Sequence, residues 1–283
     1  MNLLSRKRWL IIAGLLLVVV CGLAGALRWL TYDEFQAEVQ SVGGRYRSEV
    51  VDSRSTAFMK ALNRQALTVF HWIDLEGSQA DDAWLRSHRD DIRRQTHLFL
   101  FLRNSRITTK GLAALEGLDN LQGLDLTGTP LDDTAIDILA TLPNAPQLYI
   151  GRTGISDSAL AGLSRSPYLS FLCIDGAQAT ETGIAGLATC PHLTGVWILD
   201  ADDKCLLRLT SLGGLTYLHL QGDQLTAESL PFLKQLSGLQ LLTLFDTTFS
   251  DDELAELRQA LPECTVQQLD SARLTEARES SWE

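Results

Sequence analysis

The amino-acid sequence predicts an α/β solenoid in which short strands alternate with helical segments. Three observations lead to this prediction. Residues 121–144 realign with their neighbours when the sequence is shifted by 24 positions. Apolar residues recur two apart near the start of each copy, which is the period of a strand. Further along each copy they recur three apart, which is helical spacing.

Seven copies of the repeat follow one another, and one of them is shorter than the rest. Ala201 and Asp203 in the short copy hold positions that elsewhere carry Thr and Ile or Leu. We therefore expect a local kink or a loosened turn there. The copies span 97–120, 121–144, 145–168, 169–192, 193–214, 215–238 and 239–263.

The apolar positions of each repeat define one buried side. Counted from zero at the first residue, positions 3 and 5 are always apolar, as at Leu124 and Leu126, so they share one face of a strand. Positions 15, 18 and 21 are apolar in most repeats and form one helical stripe. Such a unit buries its apolar side only by stacking on neighbours. Position 11 carries helix-capping residues, and Ser250 with Glu253 matches a capping box. The capping residues are Thr108, Asp132, Ser156, Thr180, Thr226 and Ser250.

A repeat of 20–29 residues headed by L-x-x-L-x-L is the signature of a leucine-rich repeat. Over 97–270 the pattern resembles leucine-rich repeat proteins with helical convex sides, especially the bacterial type common in planctomycetes. The resemblance implies a curved solenoid with parallel strands on the concave face and helices on the convex face. It also implies a protein that works by binding, without indicating what is bound.

The first 30 residues have the pattern of a membrane anchor. Residues 6–8 are basic, and the uncharged run 10–27 that follows has Trp on both sides. As a helix this run is about 27 Å long, close to the thickness of the bilayer hydrocarbon. We therefore predict a cytoplasmic basic tip and an N-terminal transmembrane helix, with the repeats outside the cytoplasm on the periplasmic side. Ala24-Gly25-Ala26 also fits a signal-peptide cleavage site, so secretion after cleavage is the alternative.

The remainder of the chain is acidic. Residues 1–30 contain four basic and no acidic side chains, which leaves 20 basic and 35 acidic ones and a formal net charge of −15. Such a body repels nucleic acid and anionic lipid head groups. We predict no nucleic-acid partner, and contact with the membrane only through the N-terminal helix.

The segments on either side of the array have weaker signals. Residues 31–68 are predicted to form a small α/β leading segment, with a helix that stops at Gly43-Gly44, a strand at 45–51 and a second helix at 55–67. Residues 69–96 are predicted to be an atypical N-terminal capping repeat, because apolar residues at 70, 73 and 75 match positions 0, 3 and 5. Residues 271–283 are polar and charged, and are predicted to be a flexible tail.

Motifs of catalysis or metal binding are missing from the sequence. The five cysteines include no C-x-x-C pair, so we predict free, mostly buried thiols with Cys173 facing outward. Acidic pairs at 132–133 and 251–252 are interpreted as helix-start residues rather than calcium ligands. No nucleophile elbow, zinc-protease motif or phosphate loop occurs. We predict no enzyme activity, no cofactor and no metal.

Candidate binding residues lie at positions 2, 4 and 6, which point away from the core on the predicted concave face. Solvent-facing strand residues are usually polar, so the many aromatic residues here are an excess. Aromatic side chains are enriched in protein interfaces, and we predict a protein or peptide partner. The predicted partner-binding residues are Phe99, Phe101, Asp125, Tyr149, Phe171, Asp175, Trp197, Tyr217, His219 and Phe245.

Two other functions are compatible with the sequence. One is a purely structural spacer between envelope proteins. The other is an envelope hydrolase or carbohydrate-processing factor, for which Asp125, Asp175 and His219 are the candidate groups. These three lie two repeats apart, so neighbours are separated by roughly 10 Å at the usual strand spacing. That separation is too wide for a hydrogen-bonded catalytic pair.

Overall fold

A computed structural model describes residues 34–53, 66–144 and 146–272. The predicted basic tip and membrane anchor at 1–30 lie outside these residues, as do most of the predicted helix at 55–67 and the tail beyond 272. In the part of the chain that is described, none of the helices combines the length and the apolar character needed to cross a membrane.

The described residues form a sheet of ten strands that follow each other in sequence order. The first two strands are antiparallel and each later strand pairs in parallel with the one before it. The strands are β1 Arg45–Ser53, β2 Ala66–Asp74, β3 Leu98–Phe101, β4 Leu121–Asp125, β5 Gln147–Tyr149, β6 Phe171–Asp175, β7 Gly195–Leu199, β8 Tyr217–Gln221, β9 Leu241–Phe245 and β10 Thr265–Leu269.

Short helices connect consecutive parallel strands, and several of them are 3₁₀ in whole or in part. This arrangement confirms the predicted α/β leucine-rich repeat solenoid. The helical segments are 34–41, Asp82–Ser87, Arg89–Arg94, Thr109–Leu112 with Ala113–Leu115, Ala135–Leu139, Asp157–Arg165, Glu181–Leu187, Asp203–Leu209, Ala227–Ser229 with Leu230–Leu233, and Asp251–Ala260.

The core lies between the sheet and the helices, where the repeat pattern places it. Leu124 and Leu126 at positions 3 and 5 are fully buried, as are Leu139 at the end of the helix and Leu142 just after it. Strands pair position for position, for example Leu124 with Leu148, so equivalent side chains stack along the array. Each repeat thus completes the core of the next one, which is how a solenoid is stabilised.

Most of the predicted helix caps are present. The side chains of Thr108, Thr180 and Thr226 each accept a hydrogen bond from a backbone N–H of the first helical turn. Ser250 and Glu253 form the predicted capping box. Two positions differ. At Asp132 the prediction is wrong, because the helix begins later, after Thr134, and the Asp132 carboxylate accepts from the Thr134 N–H at 3.0 Å. Ser156 does stand at the start of its helix, but its hydroxyl donates to a neighbouring carboxylate instead of accepting from that helix.

Acidic residues at the helix starts link one repeat to the next. Asp133 accepts hydrogen bonds from the backbone N–H of Ser156 at 2.6 Å and from its hydroxyl at 2.9 Å. Asp203 accepts the same two bonds from Thr226, at 2.9 and 2.6 Å. Such charge-assisted bonds satisfy groups that would otherwise need water. We call these contacts the cap ladder, and they give Asp133 and Asp203 a structural role at the helix starts.

The short repeat does not kink. β7 pairs in register with β6 and with β8, and Ala201 is fully buried. The helix begins at Asp203, and Asp202 caps it by accepting from the Cys205 N–H at 2.9 Å. The repeat is therefore shorter in the turn between its strand and its helix. The expectation of a loosened turn is wrong, because a new cap closes the shorter turn.

The N-terminal end of the array is closed by the leading residues. The helix at 34–41 buries Phe35 and Val39, and Gly43 follows it with φ 85°, a conformation that favours glycine. Trp84 stacks on Phe35 at 6.5 Å between ring centroids. Residues 66 and 67 belong to β2, so the predicted helix at 55–67 is wrong at its end.

The C-terminal end has a strand that we did not predict. β10 pairs in parallel with β9, and its Val266 lies opposite Leu242 at position 3. Gln268 holds position 5, where earlier repeats have Leu or Ile, and its amide donates to the Phe249 carbonyl oxygen at 3.3 Å. A polar residue is tolerated there because it finds a hydrogen-bond partner at the end of the array.

Candidate binding face

Positions 2, 4 and 6 of the strands lie on the side of the sheet opposite the helices. We call this side, the predicted concave one, the open face. Its columns are continuous, because Tyr149 pairs with Cys173, Cys173 with Trp197, and Trp197 with His219. The structure therefore brings the predicted residues from successive repeats onto one surface.

Five rings of β5 to β9 contact one another on the open face, and we call them the aromatic layer: Tyr149, Phe171, Trp197, His219 and Phe245. Trp197 stacks on Phe245 at 5.4 Å and meets Tyr149 edge-on at 6.4 Å, measured between ring centroids. Phe171 lies 5.6 Å from Tyr149 and 5.8 Å from His219. His219 is also 5.7 Å from Trp197 and 6.1 Å from Phe245. Contacts of this kind stabilise ring pairs beyond the area they bury.

Glycines make room for this layer. A Cβ on Gly195 would lie 2.4 Å from Cδ2 of Phe171, so the ring lies directly over that glycine. A Cβ on Gly151 would lie 2.8 Å from Cδ1 of Leu199. The glycines at these open-face positions thus serve the packing of large neighbours, because only a residue without a side chain leaves the space.

Several residues that point toward the open face are nevertheless buried. Cys173 is 2% exposed, Phe245 3% and Asp125 7%, because the larger side chains of adjacent strands close over them. The prediction that Cys173 faces solvent is therefore wrong. Asp125 and Phe245, predicted as partner-binding residues, offer little surface to a partner and instead support the residues around them.

The accessible part of the open face is aromatic. Tyr217 is 42% exposed, and Tyr149, Phe171, Trp197 and His219 are half-buried. In the described part of the chain, neither Nε1 of Trp197 nor Nδ1 of His219 has a hydrogen-bond partner. Burial lowers the pKa of His219, so its imidazole is neutral at pH 7.

The polar residues of the open face are engaged in structural contacts. The Asp125 carboxylate accepts from the Thr127 N–H at 3.0 Å and lies 3.5 Å from Nε of Arg103. Asp175, which is half-buried, accepts from the backbone N–H of Arg152 at 2.8 Å and of Gln178 at 3.2 Å. Both carboxylates thus hold their own turns and strands in place.

The two side chains of this face that could act as nucleophiles, Tyr149 and Cys173, are not activated. Burial, followed by the nearby Asp125 carboxylate, raises the pKa of both Tyr149 and the Cys173 thiol, so both stay protonated at neutral pH. His219 contacts aromatic rings rather than either aspartate. Among the residues that the structure describes, no group of three or more His, Cys, Asp or Glu side chains could hold a metal ion.

A second group of rings lies at the N-terminal end of the open face. Trp72 and Phe99 are stacked at 5.9 Å with planes 6° apart, and the guanidinium of Arg47 lies 5.4 Å from the Trp72 ring centroid. Phe99 is half-buried and lies over Gly123; the predicted Phe101, also half-buried, lies opposite Asp125. The sequence analysis did not select Trp72, although the match of residues 70, 73 and 75 to positions 0, 3 and 5 places it at position 2.

Of three comparisons with known proteins, only the one with solved structures found proteins similar to this chain. No protein-family model matches the chain, and a search of curated proteins finds no match. The chain is similar to internalin C2 of Listeria monocytogenes at 23% identity and a TM-score of 0.39, covering 63% of this chain and 72% of that one. It is also similar to internalin inlF of the same organism, at 17% identity and a TM-score of 0.39. That match covers 70% of this chain and 61% of inlF, so the chain spans less than two thirds of inlF's length.

Proposed function

We propose that this chain is a membrane-anchored, extracytoplasmic leucine-rich repeat protein that binds a protein or peptide partner on its open face. The observation that carries the proposal is the aromatic layer, together with exposed Tyr217 beside it. Interfaces between proteins are enriched in Tyr, Trp and Phe, and a few such anchors supply most of the binding energy. A partner would bury half-exposed rings, and removing apolar surface from water is favourable.

The membrane location is proposed from the sequence. The basic residues at 6–8 and the uncharged run at 10–27 support an anchor whose N-terminus stays in the cytoplasm. Catalysis is not proposed. The candidate groups Asp125 and Asp175 are already bonded to nearby backbone and Arg103, and His219 is packed among rings.

Photo-crosslinking tests where the partner binds. Benzoylphenylalanine is placed at Tyr217 on the open face and, as a matched control, at Tyr168, which is 55% exposed and lies in the turn before β6. We expect a crosslinked product from the position-217 protein and none from the position-168 protein. A product only at 168 contradicts an open-face site, and the absence of any partner in either sample favours the spacer function.

A further inference from the structure

We infer that the partner segment bound by the aromatic layer is positively charged, a peptide stretch that presents Arg or Lys side chains. The inference rests on the proposed function and specifies its ligand. The apolar rings provide the contact surface, and the charged residues around them favour a partner of opposite charge.

The histidine of this part of the open face, His219, is neutral, and the open face of β6 to β10 contains no Lys or Arg. Between residues 166 and 272 the chain has four, Lys204, Arg208, Lys234 and Arg258, and all of them lie in or next to the helices. Three of them are engaged there. Arg208 donates to the Ala179 carbonyl oxygen, Lys234 pairs with Glu256, and Arg258 donates to the Val266 carbonyl oxygen.

Aspartates border the aromatic layer where the strands end. Asp175 ends β6, and Asp223, Asp246 and Asp270 follow β8, β9 and β10; we call these four the acidic border. Within the described residues, none of the four forms an ion pair. Their oxygens accept from backbone N–H groups, from amide side chains and, at Asp246, from the Ser271 hydroxyl, all of which are uncharged. Hydrogen bonds from Ser271 lower the pKa of Asp246, which is therefore charged at neutral pH.

Arg152, whose backbone N–H bonds Asp175 of this border, has a side chain that is already paired with another carboxylate. The Arg152 guanidinium donates through Nε to one oxygen of Asp200 at 2.9 Å, and through a terminal nitrogen to the other at 2.8 Å. Such a bidentate pair neutralises both partners. The acidic border therefore keeps its negative charge, and it repels acidic partners while attracting basic ones.

Cationic side chains also suit the rings themselves. A guanidinium or ammonium over the face of Trp or Tyr is attracted by the ring quadrupole. The open face already contains one such contact at its other end, where Arg47 lies 5.4 Å from the Trp72 ring centroid. From Trp197 on β7 to Asp175 on β6, the backbone separation is roughly 8 Å at standard strand spacings. An Arg or Lys side chain can therefore lie across a ring and place its charge at the border.

The test measures binding of two synthetic peptides to the full chain in detergent micelles. One has four arginines alternating with glycines, and the other replaces each arginine by citrulline, which has nearly the same shape and no charge. By fluorescence anisotropy at low salt, we expect the arginine peptide to bind at least tenfold more tightly. That preference should shrink as the salt concentration rises, because salt screens exposed charges.

Charge-matched variants separate the border from the general acidity of the protein. Asp223→Asn with Asp246→Asn removes two border charges, and Asn is compatible with the φ of 55° at position 246. Glu116→Gln with Glu263→Gln removes two exposed charges from turns that follow helices. We expect the first pair to weaken arginine-peptide binding at least fivefold and the second pair to leave it unchanged. Trp197→Leu should weaken it as well.

Three results would overturn the inference: equal binding of the citrulline peptide, equal losses in the two variant pairs, or no binding of the arginine peptide. The crosslinking experiment distinguishes this failure from that of the proposed function. If a partner crosslinks at position 217 and its binding is unchanged in the border variants, the inference about charge is wrong and the proposed open-face site still stands.

Discussion

Replacing Gly195 by Ala tests whether the rings of the open face are packed as a layer. The new Cβ would lie 2.4 Å from Cδ2 of Phe171, 3.2 Å from Cε2 and 3.4 Å from Cγ. Carbon atoms in contact prefer about 3.5–4.0 Å, so the ring has to move. It is held between Tyr149 and His219, and neither gives way without disturbing Trp197 or Phe245.

The expected cost is moderate. Overpacking of this kind costs about 1–3 kcal/mol, while exchanging Gly for Ala at a compatible backbone conformation returns about 0.4–1 kcal/mol. A net loss of about 1–2 kcal/mol corresponds to a fall of roughly 0.5–1 M in the midpoint of urea unfolding. The measurement is far-ultraviolet circular dichroism against urea.

Gly213→Ala is the matched control. Its Cβ would meet no atom within 4 Å, and Gly213 does not have a positive φ. We expect this variant to be as stable as the wild type or slightly more stable. If Gly195→Ala unfolds at the same urea concentration as Gly213→Ala, then Phe171 does not lie over the strand and the layer is not packed.

Two further predictions concern the cap ladder and the membrane anchor. Asp203→Ala removes two hydrogen bonds from Thr226 and should lower the free energy of unfolding by about 1 kcal/mol. Glu181→Ala, at the first position of its own helix and without a hydrogen bond of this type in the described structure, should have little effect; equal losses would contradict the ladder. In the proposed topology the basic residues at 6–8 keep the N-terminus in the cytoplasm, so a carboxy-terminal alkaline phosphatase fusion should be active. An inactive phosphatase together with an active cytoplasmic reporter at the same point would refute the proposed topology.

The inward side of the repeats could be predicted because it depends on spacing alone. Leu124 and Leu126 alternate with outward residues on a strand, and that alternation determines which face is buried whatever the neighbours are. The structure of the short repeat was harder to predict. Its missing residues could have come from strand, turn or helix, and only the position of the Asp202 cap shows that they come from the turn.

The burial of open-face residues could not be predicted from spacing. Position 4 points away from the core both at Cys173 and at Trp197, yet the first is almost fully buried. Its burial depends on which way the rings of adjacent strands lean, and that depends on the glycines beside them, such as Gly195 under Phe171. These contacts join residues about 24 positions apart, which no local pattern describes. Strand β10 was missed for a related reason, because Gln268 interrupts the apolar alternation.

Partner capture by open-face variants tests the central claim most directly. The full chain is compared with Trp197→Leu combined with Tyr217→Ala, and with Tyr168→Ala as an exposed-tyrosine control, after each has been shown to unfold cooperatively. Truncated interface anchors cost about 2 kcal/mol or more each, so the double variant should lose at least tenfold in affinity for the crosslinked partner. The Tyr168→Ala protein should capture the partner as the wild type does. Undiminished capture by a folded double variant would contradict binding on the open face.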